Sequence, residues 1–432
     1  EEMGFDPSDA APAGPDDLLI AVTASGQSEI EAARRAVDQA LASTSTQTSE
    51  TLLAPPPHRT IGSAARAIGA NLALISVPGP HAFVEAMAAL EAGLHVMIFS
   101  DNVPVEEELL LKQTAGERGL LVMGPDCGTA LVMGLGLGFS NVVQPGPVGI
   151  TGASGTGIQQ LCCLLDASGV GVRHALGSGS RDLSAEIGAS STLQALSALD
   201  ADPEVQVIVV VSKPPDPQVT MRVEQAIARC STPVVRALLG SPGVTLEKAA
   251  RDAVEAIGFD WEDPPVWHPE TSVSRRGQLR GLFSGGTLCA EARAIVVEDL
   301  VDVGAEPNAP GHWLCDFGAD RYTQGRAHPM IDPMLRLEAL AEVVEDPATG
   351  TVLIDVVLGH GAHPDPANGL APLVVRARNE GIGVVASLCG TRSDPQGRDE
   401  QAARLQAAGA EVYLSNAEAA TRAVRLTQEA RS

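Results

Sequence analysis

Short apolar runs alternate with longer amphipathic segments along the chain, which is the pattern of alternating strands and helices. Residues 17–25, 71–79 and 95–101 are such runs, and each precedes a stretch with helical spacing of apolar side chains. This rhythm predicts a parallel sheet with right-handed crossovers. We therefore predict a first α/β domain at residues 17–145, after an acidic, Pro-rich tail at residues 1–16.

The same alternation returns twice. Apolar runs beginning near residues 147, 205 and 233 predict a second α/β domain at residues 146–258. Residues 259–276 hold three prolines and two of the three tryptophans without periodicity, which is typical of a linker. Further apolar runs predict a third α/β domain at residues 277–432. The fold class is thus α/β, with three consecutive parallel-sheet domains.

Composition and charge exclude several classes of protein. With 44% hydrophobic and 19% charged residues, the chain is able to bury a core. Its formal net charge of −25 repels phosphate backbones, so nucleic acid is not an expected partner. No apolar run approaches the roughly 18 residues of a membrane span, and the acidic start is unlike a secretory signal. We expect a cytoplasmic protein without a membrane partner.

The cysteines and histidines do not predict a metal site. The seven cysteines include no CxxC pair, so neither a disulfide framework nor a structural zinc site is indicated. His360, His363 and Asp365 lie close in sequence but lack a complementary set of ligands elsewhere. Cys127 follows an apolar run, where a small residue is more common than a nucleophile. No metal is expected.

Two glycine-rich loops are candidate phosphate sites, because each follows a predicted strand and opens a helix. Glycine lets the backbone approach an anion, and the first-turn N–H groups with the helix dipole favour negative charge. A single loop of this kind is also common as an ordinary turn between a strand and a helix. The candidate phosphate-binding residues are Gly152, Ser154, Gly155, Thr156 and Gly157 in the first loop, and Ser284, Gly285, Gly286 and Thr287 in the second.

Two cations follow other predicted strands. Neither glycine loop contains the lysine of a phosphate-binding GxxxxGK[ST] sequence, so a kinase is not indicated. Lys213 lies beyond one strand and Arg181 beyond another, and both are candidate catalytic cations. For Lys213 the alternative is an ordinary solvated surface lysine.

The segment 325–333 contains a cation, an imidazole and a carboxylate in a loop with two prolines. Arg326 is a candidate to hold a substrate carboxylate through paired hydrogen bonds, and His328 is a candidate acid or base near neutral pH. Asp332 precedes a predicted helix, so it is alternatively a capping residue.

Several long motifs in order resemble the FdrA family, and the resemblance runs from about residue 70 to the C-terminus. The motifs are GPDCGTA (124–130), GITGASGTGIQ (149–159), GSGSRDL (177–183), VSKPP (211–215), LFSGGTLCAEA (282–292), GRAHPMIDP (325–333) and GTRSDPQ (390–396). FdrA proteins belong to the succinyl-CoA synthetase-like superfamily. The resemblance implies a Rossmann-like CoA-binding-type domain followed by two flavodoxin-like domains, of the synthetase α and β C-terminal types, without an ATP-grasp domain.

The sequence departs from the ligases of that superfamily at three places. Those ligases carry a phosphorylated histidine after the strand that resembles PVVRALLG, where this chain continues SPGVTLEKAARDAVEAIG. The acidic residue that orients their histidine is replaced by the cation in VSKPP. The glycine loop that holds CoA is not recognisable in AVTASGQSEIEAA. These differences favour transfer of a ready-made acyl phosphate over ligation.

The resemblance implies a subunit of a carbamoyltransferase in ureide and purine nitrogen breakdown. It would interconvert oxamate plus carbamoyl phosphate with oxalurate plus phosphate, alongside companion protein subunits, and a homo-oligomer is a further expectation. Both glycine loops would bind phosphate, Lys213 or Arg181 would stabilise charge, Arg326 would hold the acceptor and His328 would move a proton. No cofactor is expected.

Two other functions stay open. The first is an acyl-CoA synthetase that borrows an ATP-grasp partner and therefore uses CoA and a nucleotide. The second is a non-catalytic subunit that senses a ligand.

Overall fold

The structure is a computed structural model. It describes residues 26, 30–35, 58–241, 243–307 and 309–430. The chain divides into two compact units, residues 1–59 and residues 60–432. In the first unit, residues 30–35 are helical and are numbered α1. The predicted tail and the predicted strand at residues 17–25 lie outside the described residues.

The first sheet of the second unit has three parallel strands in the order β1-β2-β3. Thr60 caps the N-terminus of helix α2, and its side chain accepts from the Ser63 N–H. Gly69, in the left-handed region, caps the C-terminus. The elements are α2 (Ile61–Ile68), β1 (Leu72–Ile75), α3 (Gly79–Glu91), β2 (His95–Ile98), α4 (Val105–Arg118) and β3 (Val122–Met123).

The second sheet has six strands in the order β5-β4-β7-β6-β8-β9, of which β7, β6, β8 and β9 are parallel. Strands β4 and β5 form a hairpin through Met133 and Gly134, both with positive φ, as a two-residue turn requires. The elements are β4 (Thr129–Val132), β5 (Leu135–Gly138), β6 (Val148–Ala153), α5 (Gly155–Ala167), β7 (Val172–Gly177), α6 (Ser190–Ala201), β8 (Val207–Ser212), α7 (Pro217–Ile227), β9 (Val234–Leu238) and α8 (Leu246–Ala256).

The third sheet has seven strands in the order β10-β16-β15-β14-β11-β13-β12, parallel except for β10. The predicted linker therefore contains a short edge strand, Val266–Trp267, which pairs with β16. The elements are β10 (Val266–Trp267), β11 (Gln278–Phe283), α9 (Gly286–Asp299), β12 (Val303–Gly304), β13 (His312–Asp316), α10 (Asp320–Thr323), α11 (Met334–Glu345), β14 (Thr349–Val357), α12 (Pro366–Asn379), β15 (Gly383–Cys389), α13 (Arg398–Ala408), β16 (Glu411–Tyr413) and α14 (Asn416–Glu429).

Both glycine loops follow the strand at which the strand order reverses. β6 lies between β7 and β8, and β11 lies between β13 and β14. In open α/β sheets this switch point is where ligands bind, beyond the carboxyl ends of the strands. The topology thus gives the two loops equivalent positions in their sheets.

The second and third sheets share one hydrophobic core. A continuous cluster of buried side chains includes Ile150 on β6, Leu161 on α5, Leu288 on α9 and Val385 on β15. The α/β class predicted from the sequence is confirmed, whereas the predicted domain boundaries stay predictions. None of the helices in the described part of the chain has the length and apolar character needed to cross a bilayer.

Candidate functional site

The carboxyl ends of strands from all three sheets meet at one cavity of about 680 Å³. Asp101 comes from the loop after β2, Gly155 and Gly286 begin helices after β6 and β11, Lys213 directly follows β8, and Asp316 ends β13. Each of these residues lies in the wall of the cavity. The sheets therefore bring together groups that are up to 215 residues apart in the sequence, from Asp101 to Asp316.

The starts of α5 and α9 touch each other directly. Ser154 Oγ donates to Thr287 Oγ1 over 2.7 Å, which links the two loops by a buried hydrogen bond. A Cβ placed on Gly157 would lie 3.0 Å from the Thr287 methyl carbon, and one placed on Gly285 would lie 2.8 Å from the Thr156 methyl carbon. Each glycine thus makes room for the threonine of the other loop, and the helix starts approach closely because both lack a side chain there.

Backbone donors at these helix starts have no partner. Among the described residues, none of the backbone N–H groups of Gly155, Thr156, Gly286 and Thr287 donates a hydrogen bond. Unpaired first-turn N–H groups and two helix dipoles make such a place favourable for an anion. The four donors therefore form an anion cradle, the name used below for these four N–H groups.

Other residues predicted to bind phosphate have different roles. The Ser284 N–H and hydroxyl donate to Asp355 over 2.8 and 2.9 Å, and the Gly285 N–H donates to the same carboxylate over 2.7 Å. The Gly157 N–H donates to Ser154 Oγ over 3.0 Å. Gly152 lies within β6, against the backbone of Val211. These contacts hold the loops in place, and the prediction that the same residues bind phosphate stays a prediction; of them, Ser284 lines the cavity.

Asp355 is buried in β14 and supports the second loop. Besides its bonds to Ser284 and Gly285, it forms a buried ion pair with Arg336 of α11. A buried carboxylate needs such partners, because removing a charge from water is costly. The loop before α9 is thereby fixed by a residue from the neighbouring strand, which sequence reasoning did not select.

Lys213 is the cation nearest to the cradle. A Cβ placed on Gly286 would lie 2.7 Å from Lys213 Nζ and 2.5 Å from Asp316 Oδ2, so both side chains lie over the start of α9. Lys112 and Lys248 form ion pairs, whereas Lys213 has none with the described residues. Lys213 therefore lies in the cavity wall over the start of α9, with the carboxyl group of Asp316 beside the same helix start.

Two carboxyl groups in the cavity have raised pKa values. Burial raises the pKa of Asp126 to about 6, against the opposing effects of a Ser180 hydrogen bond and of Lys213. Burial likewise raises the pKa of Asp316 to about 6, again opposed by Lys213. Carboxyl groups with such values change their protonation state near neutral pH, which suits proton transfer.

His328 lies in the cavity wall as predicted, but its protonation differs from the expectation. Burial lowers the pKa of His328 to about 4, so the imidazole is neutral at neutral pH. Its Nδ1 accepts from the Met330 N–H over 3.2 Å, which places the proton on Nε2. In this state His328 Nε2 is able to donate a hydrogen bond, and the pKa of its imidazole lies further from neutral pH than those of the two aspartates.

The predicted arginines lie apart from each other. Arg326 is exposed and lines the cavity, and its role in holding an acceptor stays a prediction. Arg181 does not line the cavity; it donates to the Val103 carbonyl over 2.7 Å and pairs with Glu108 over 2.9 Å. The prediction that Arg181 stabilises charge in the site is corrected accordingly.

The structure also shows the surroundings of other residues that were weighed from the sequence. Asp332 accepts from the Met334 N–H over 3.1 Å, which is a helix-start role. Burial raises the pKa of Cys127 to about 12, so its thiol is not a nucleophile. His363 Nδ1 accepts from the Asp365 N–H, and Asp365 pairs with Arg404. Within the described ranges there is no group of three His, Cys, Asp or Glu that is able to hold a metal ion.

Sequence reasoning missed the acidic side of the cavity. Asp126 belongs to the motif GPDCGTA, where attention fell on the cysteine, and Asp316 ends the apolar run HWLCD. Asp126 follows a strand and Asp316 ends one. Like Lys213, they were therefore predictable as site residues from their position at the carboxyl end of a strand. Asp101 and Asp320 also line the cavity.

The chain is similar to several known proteins. A family model described as CoA-ligase matches residues 282–426. A model described as the AllF heavy metal-associated domain matches residues 1–55, where the predicted tail and first strand lie. The uncharacterized protein YahF of Escherichia coli is 38% identical over 391 residues, which cover 82% of this chain and 76% of YahF.

Two curated ligase subunits match a shorter part. Subunit α 2 of the ADP-forming succinate–CoA ligase of Archaeoglobus fulgidus is 30% identical over 166 residues, 38% of this chain and 56% of that subunit. Subunit α of the malate–CoA ligase of Methylorubrum extorquens is 27% identical over 171 residues, with the same two coverages. The matched region thus spans only just over half of each ligase subunit.

Proposed function

Because the chain belongs to the YahF family within the succinyl-CoA synthetase-like superfamily, we propose that its cavity binds a small acyl phosphate and transfers the acyl group. The specific proposal, with the narrower FdrA assignment, is carbamoyl transfer between carbamoyl phosphate and oxamate. The products are oxalurate and phosphate. No cofactor is required for this reaction, and small anions are the ligands.

One observation carries the proposal: the anion cradle and Lys213 lie in the wall of the same cavity. Four unpaired backbone donors and an ammonium group match the oxygens of a phosphate group. The neutral His328, whose Nδ1 already accepts a hydrogen bond, is poorly suited to carry a phosphoryl group. Among the described histidines it alone lines this cavity. Both features support direct transfer.

The proposed step balances without a covalent enzyme intermediate. The amide nitrogen of oxamate attacks the carbamoyl carbon, a C–N bond forms, and the bond from that carbon to the phosphate oxygen breaks. A carboxylate, Asp316 or Asp126, takes the proton from nitrogen and passes it to the departing phosphate. The cradle and Lys213 stabilise the charge that develops on the phosphate oxygens. Positioning supplies the remainder of the rate enhancement.

Two further residues would bind the reactants. Arg326, at the edge of the cavity, would hold the carboxylate of oxamate through paired hydrogen bonds. His328, with its proton on Nε2, would donate a hydrogen bond to a reactant oxygen.

The first test measures ligand-induced thermal stabilisation of the full chain. Inorganic phosphate and carbamoyl phosphate are expected to raise the midpoint of unfolding, because both bind the folded state alone. Lys213→Met is expected to lose at least tenfold in affinity for either ligand, since the charged partner in the cavity is removed. Lys248→Met is the matched control, because Lys248 is exposed and pairs with Asp252 on α8.

Equal affinity in the Lys213→Met variant would contradict the proposed site. No response to phosphate or carbamoyl phosphate in the wild type would contradict the proposed function. Production of oxalurate from oxamate and carbamoyl phosphate, measured with and without companion subunits, then tests the transfer itself.

The second candidate function is an acyl-CoA ligase that needs a separate nucleotide-binding subunit. The CoA-ligase match and the two ligase α subunits favour it over carbamoyl transfer. Under this candidate, CoA and a nucleotide are ligands and a companion subunit is required. A shift of the unfolding midpoint with CoA, but with neither phosphate nor carbamoyl phosphate, would select the ligase over the transferase.

A further inference from the structure

Asp316 presents one unpaired carboxylate oxygen to the cavity. Its Oδ1 accepts from the Gly318 N–H over 2.9 Å, which fixes the orientation of the carboxyl group. Its Oδ2 accepts no hydrogen bond from any residue that the structure describes, and this oxygen is open to solvent. Because Asp316 lines the cavity, a bound ligand is able to reach Oδ2.

The ammonium group of Lys213 lies close to this oxygen. A Cβ placed on Gly286 would lie 2.5 Å from Asp316 Oδ2 and 2.7 Å from Lys213 Nζ, so the two atoms are within about 5 Å of each other. They form no direct hydrogen bond or ion pair. One atom hydrogen-bonded to both groups, at about 2.8 Å from each, spans roughly 4–5 Å. The gap between the two side chains therefore has the width of one bridging ligand atom.

Lys213 and Asp316 require opposite hydrogen-bonding partners. An ammonium group only donates, and an ionised carboxylate only accepts. An atom between them must therefore accept from Lys213 Nζ and donate to Asp316 Oδ2. A hydroxyl oxygen of a phosphate group does both, whereas an oxygen of sulfate, which has no proton near neutral pH, only accepts.

The gap lies over the anion cradle, because Gly286 contributes one of the four N–H groups. Thr156 contributes another, and its side chain adds a further unpaired group. Thr156 lines the cavity, is only 9% exposed, and its hydroxyl makes no hydrogen bond within the described ranges. A buried polar group without a partner indicates a ligand or a water that completes it.

We propose that Asp316 makes this site select a phosphate group that carries a proton over a fully ionised oxyanion, by accepting a hydrogen bond from the P–OH group at Oδ2. The proposal rests on the proposed binding of phosphate in the anion cradle. The protonated oxygen lies between Asp316 and Lys213, and the other phosphate oxygens accept from the cradle. An oxyanion without a proton binds only after Asp316 has taken up a proton from solvent.

The surroundings of Asp316 leave it ionised above neutral pH. Burial raises the pKa of Asp316 to about 6, and Asp355 of the neighbouring strand acts in the same direction. Lys213, the Gly318 N–H and Arg321 oppose this rise. At pH 7.5 the carboxylate is therefore an acceptor, and phosphate still retains at least one proton.

The test compares phosphate with sulfate, two tetrahedral anions that differ in this proton. Dissociation constants are measured at pH 7.5 by titration calorimetry on the full chain. The wild type is expected to prefer phosphate by roughly tenfold or more, as one hydrogen bond to a charged acceptor provides. In Asp316→Asn the preference is expected to fall to about threefold or less, chiefly through tighter sulfate binding, because an amide N–H replaces the repelling oxygen.

Asp320→Asn is the matched control. Asp320 is exposed and lines the same cavity. Removing its charge is expected to change the affinities for both anions by similar factors, because a charge without a direct contact acts on both alike. The preference for phosphate is thus expected to stay at the wild-type value.

A proton count on the wild type tests the same contact without a variant. Titrations in two buffers that differ in their heat of ionisation give the number of protons taken up on binding. Sulfate is expected to bind with the uptake of about one proton more than phosphate, because only sulfate requires a protonated Asp316 at pH 7.5.

Equal wild-type affinity for phosphate and sulfate, or equal proton uptake with both, would overturn the inference while leaving the proposed anion site intact. An unchanged preference in a folded Asp316→Asn variant would also overturn it, as would an equal loss of preference in Asp320→Asn. Failure of phosphate, carbamoyl phosphate and sulfate to bind at all would instead overturn the proposed function, and this inference with it.

Discussion

At the scale of single residues, Asp126 and Asp316 make the charge of the cavity depend on pH near neutrality. Burial disfavours the ionised form of both carboxyl groups, and Lys213 partly opposes that effect. The cavity therefore gains negative charge as the pH rises through about 6, the pKa of both groups. We therefore expect the cradle to bind an anion more tightly when these carboxyl groups are protonated.

The first prediction concerns sulfate, an anion that does not itself titrate in this range. Affinity for sulfate is expected to fall several-fold between pH 5 and pH 7, because Asp126 and Asp316 ionise over this interval. Asp316→Asn is expected to flatten the dependence by removing one of the two charges. Thermal stabilisation by sulfate at a series of pH values measures the pH dependence of the affinity.

The control for this experiment is Asp260→Asn, because Asp260 is exposed and does not line the cavity. It is expected to reproduce the wild-type pH dependence. Wild-type sulfate affinity that stays constant from pH 5 to pH 8 would contradict the placement of the two carboxyl groups beside the cradle.

At the scale of elements, the site depends on the close approach of α5 and α9. Gly157 and Gly285 are the contact points, and neither requires glycine for a positive φ; Gly285 has φ −105. Both are required for space. A Cβ on Gly157 would lie 2.2 Å from Ser154 Oγ of its own loop and 3.0 Å from the Thr287 methyl carbon, and one on Gly285 would lie 2.8 Å from the Thr156 methyl carbon. Of the five glycines predicted to bind phosphate, Gly157 and Gly285 thus pack the helices and Gly152 lies within β6. The other two, Gly155 and Gly286, present free N–H groups.

The second prediction is that Gly285→Ala separates the helix starts. The new Cβ would lie 2.8 to 3.0 Å from side-chain atoms of Thr156, so the two loops must move apart. The free energy of unfolding is expected to fall by about 1–3 kcal/mol, as for other overpacked core positions. Phosphate affinity is expected to fall as well. Denaturant unfolding and ligand titration measure the two effects.

Gly116→Ala is the control for the added methyl group. Gly116 lies inside α4, and its nearest neighbour for a new Cβ is Gln194 Nε2 at 4.0 Å. This substitution is expected to leave the stability unchanged or to raise it by up to about 1 kcal/mol. A Gly285→Ala variant as stable as Gly116→Ala would contradict the packing described here.

At the scale of the whole second unit, residues 60–432, the sheets share buried side chains. Apolar residues of the second and third sheets form one cluster. Met97 and Met123 of the first sheet pack into a cluster with residues of the second, among them Ala130 and Leu196. Elements that share a core lose their stabilisation together when one of them unfolds.

The third prediction is a single cooperative unfolding transition for this unit. Differential scanning calorimetry of the full chain is expected to show one main transition for residues 60–432, shifted upwards as a whole by phosphate. A separate transition of the third sheet, unaffected by phosphate, would contradict both the shared core and a site built from several sheets.

Much of the fold was accessible from the sequence. The strands after residues 71, 95, 147, 205, 233 and 277 were predicted from apolar runs, because buried parallel strands have continuous apolar sequences. The hairpin β4–β5 was missed, because the stretch TALVMGLGLG contains none of the polar residues that usually mark a turn. The edge strand β10 was missed because two residues are too few to show a period.

The candidate site was accessible only in part. Both glycine loops and Lys213 were found by their position after strands. Asp355, which fixes the second loop, was not found, because its partners are 70 and 71 residues away along the chain. Arg181 was chosen for its position after β7, but Glu108 of α4 holds it outside the cavity.

The sequence by itself determined the α/β class, the alternation of strands and helices, and the places where glycine opens a helix, because these depend on local periodicity and backbone freedom. The tertiary structure alone decided which donors are free. Whether the N–H of Gly285 meets Asp355 or a ligand, and whether Asp126 and Asp316 titrate near pH 6, depend on burial and on neighbours brought from distant strands. Hydrogen bonding and desolvation act over a few ångströms in space, whatever the separation along the chain.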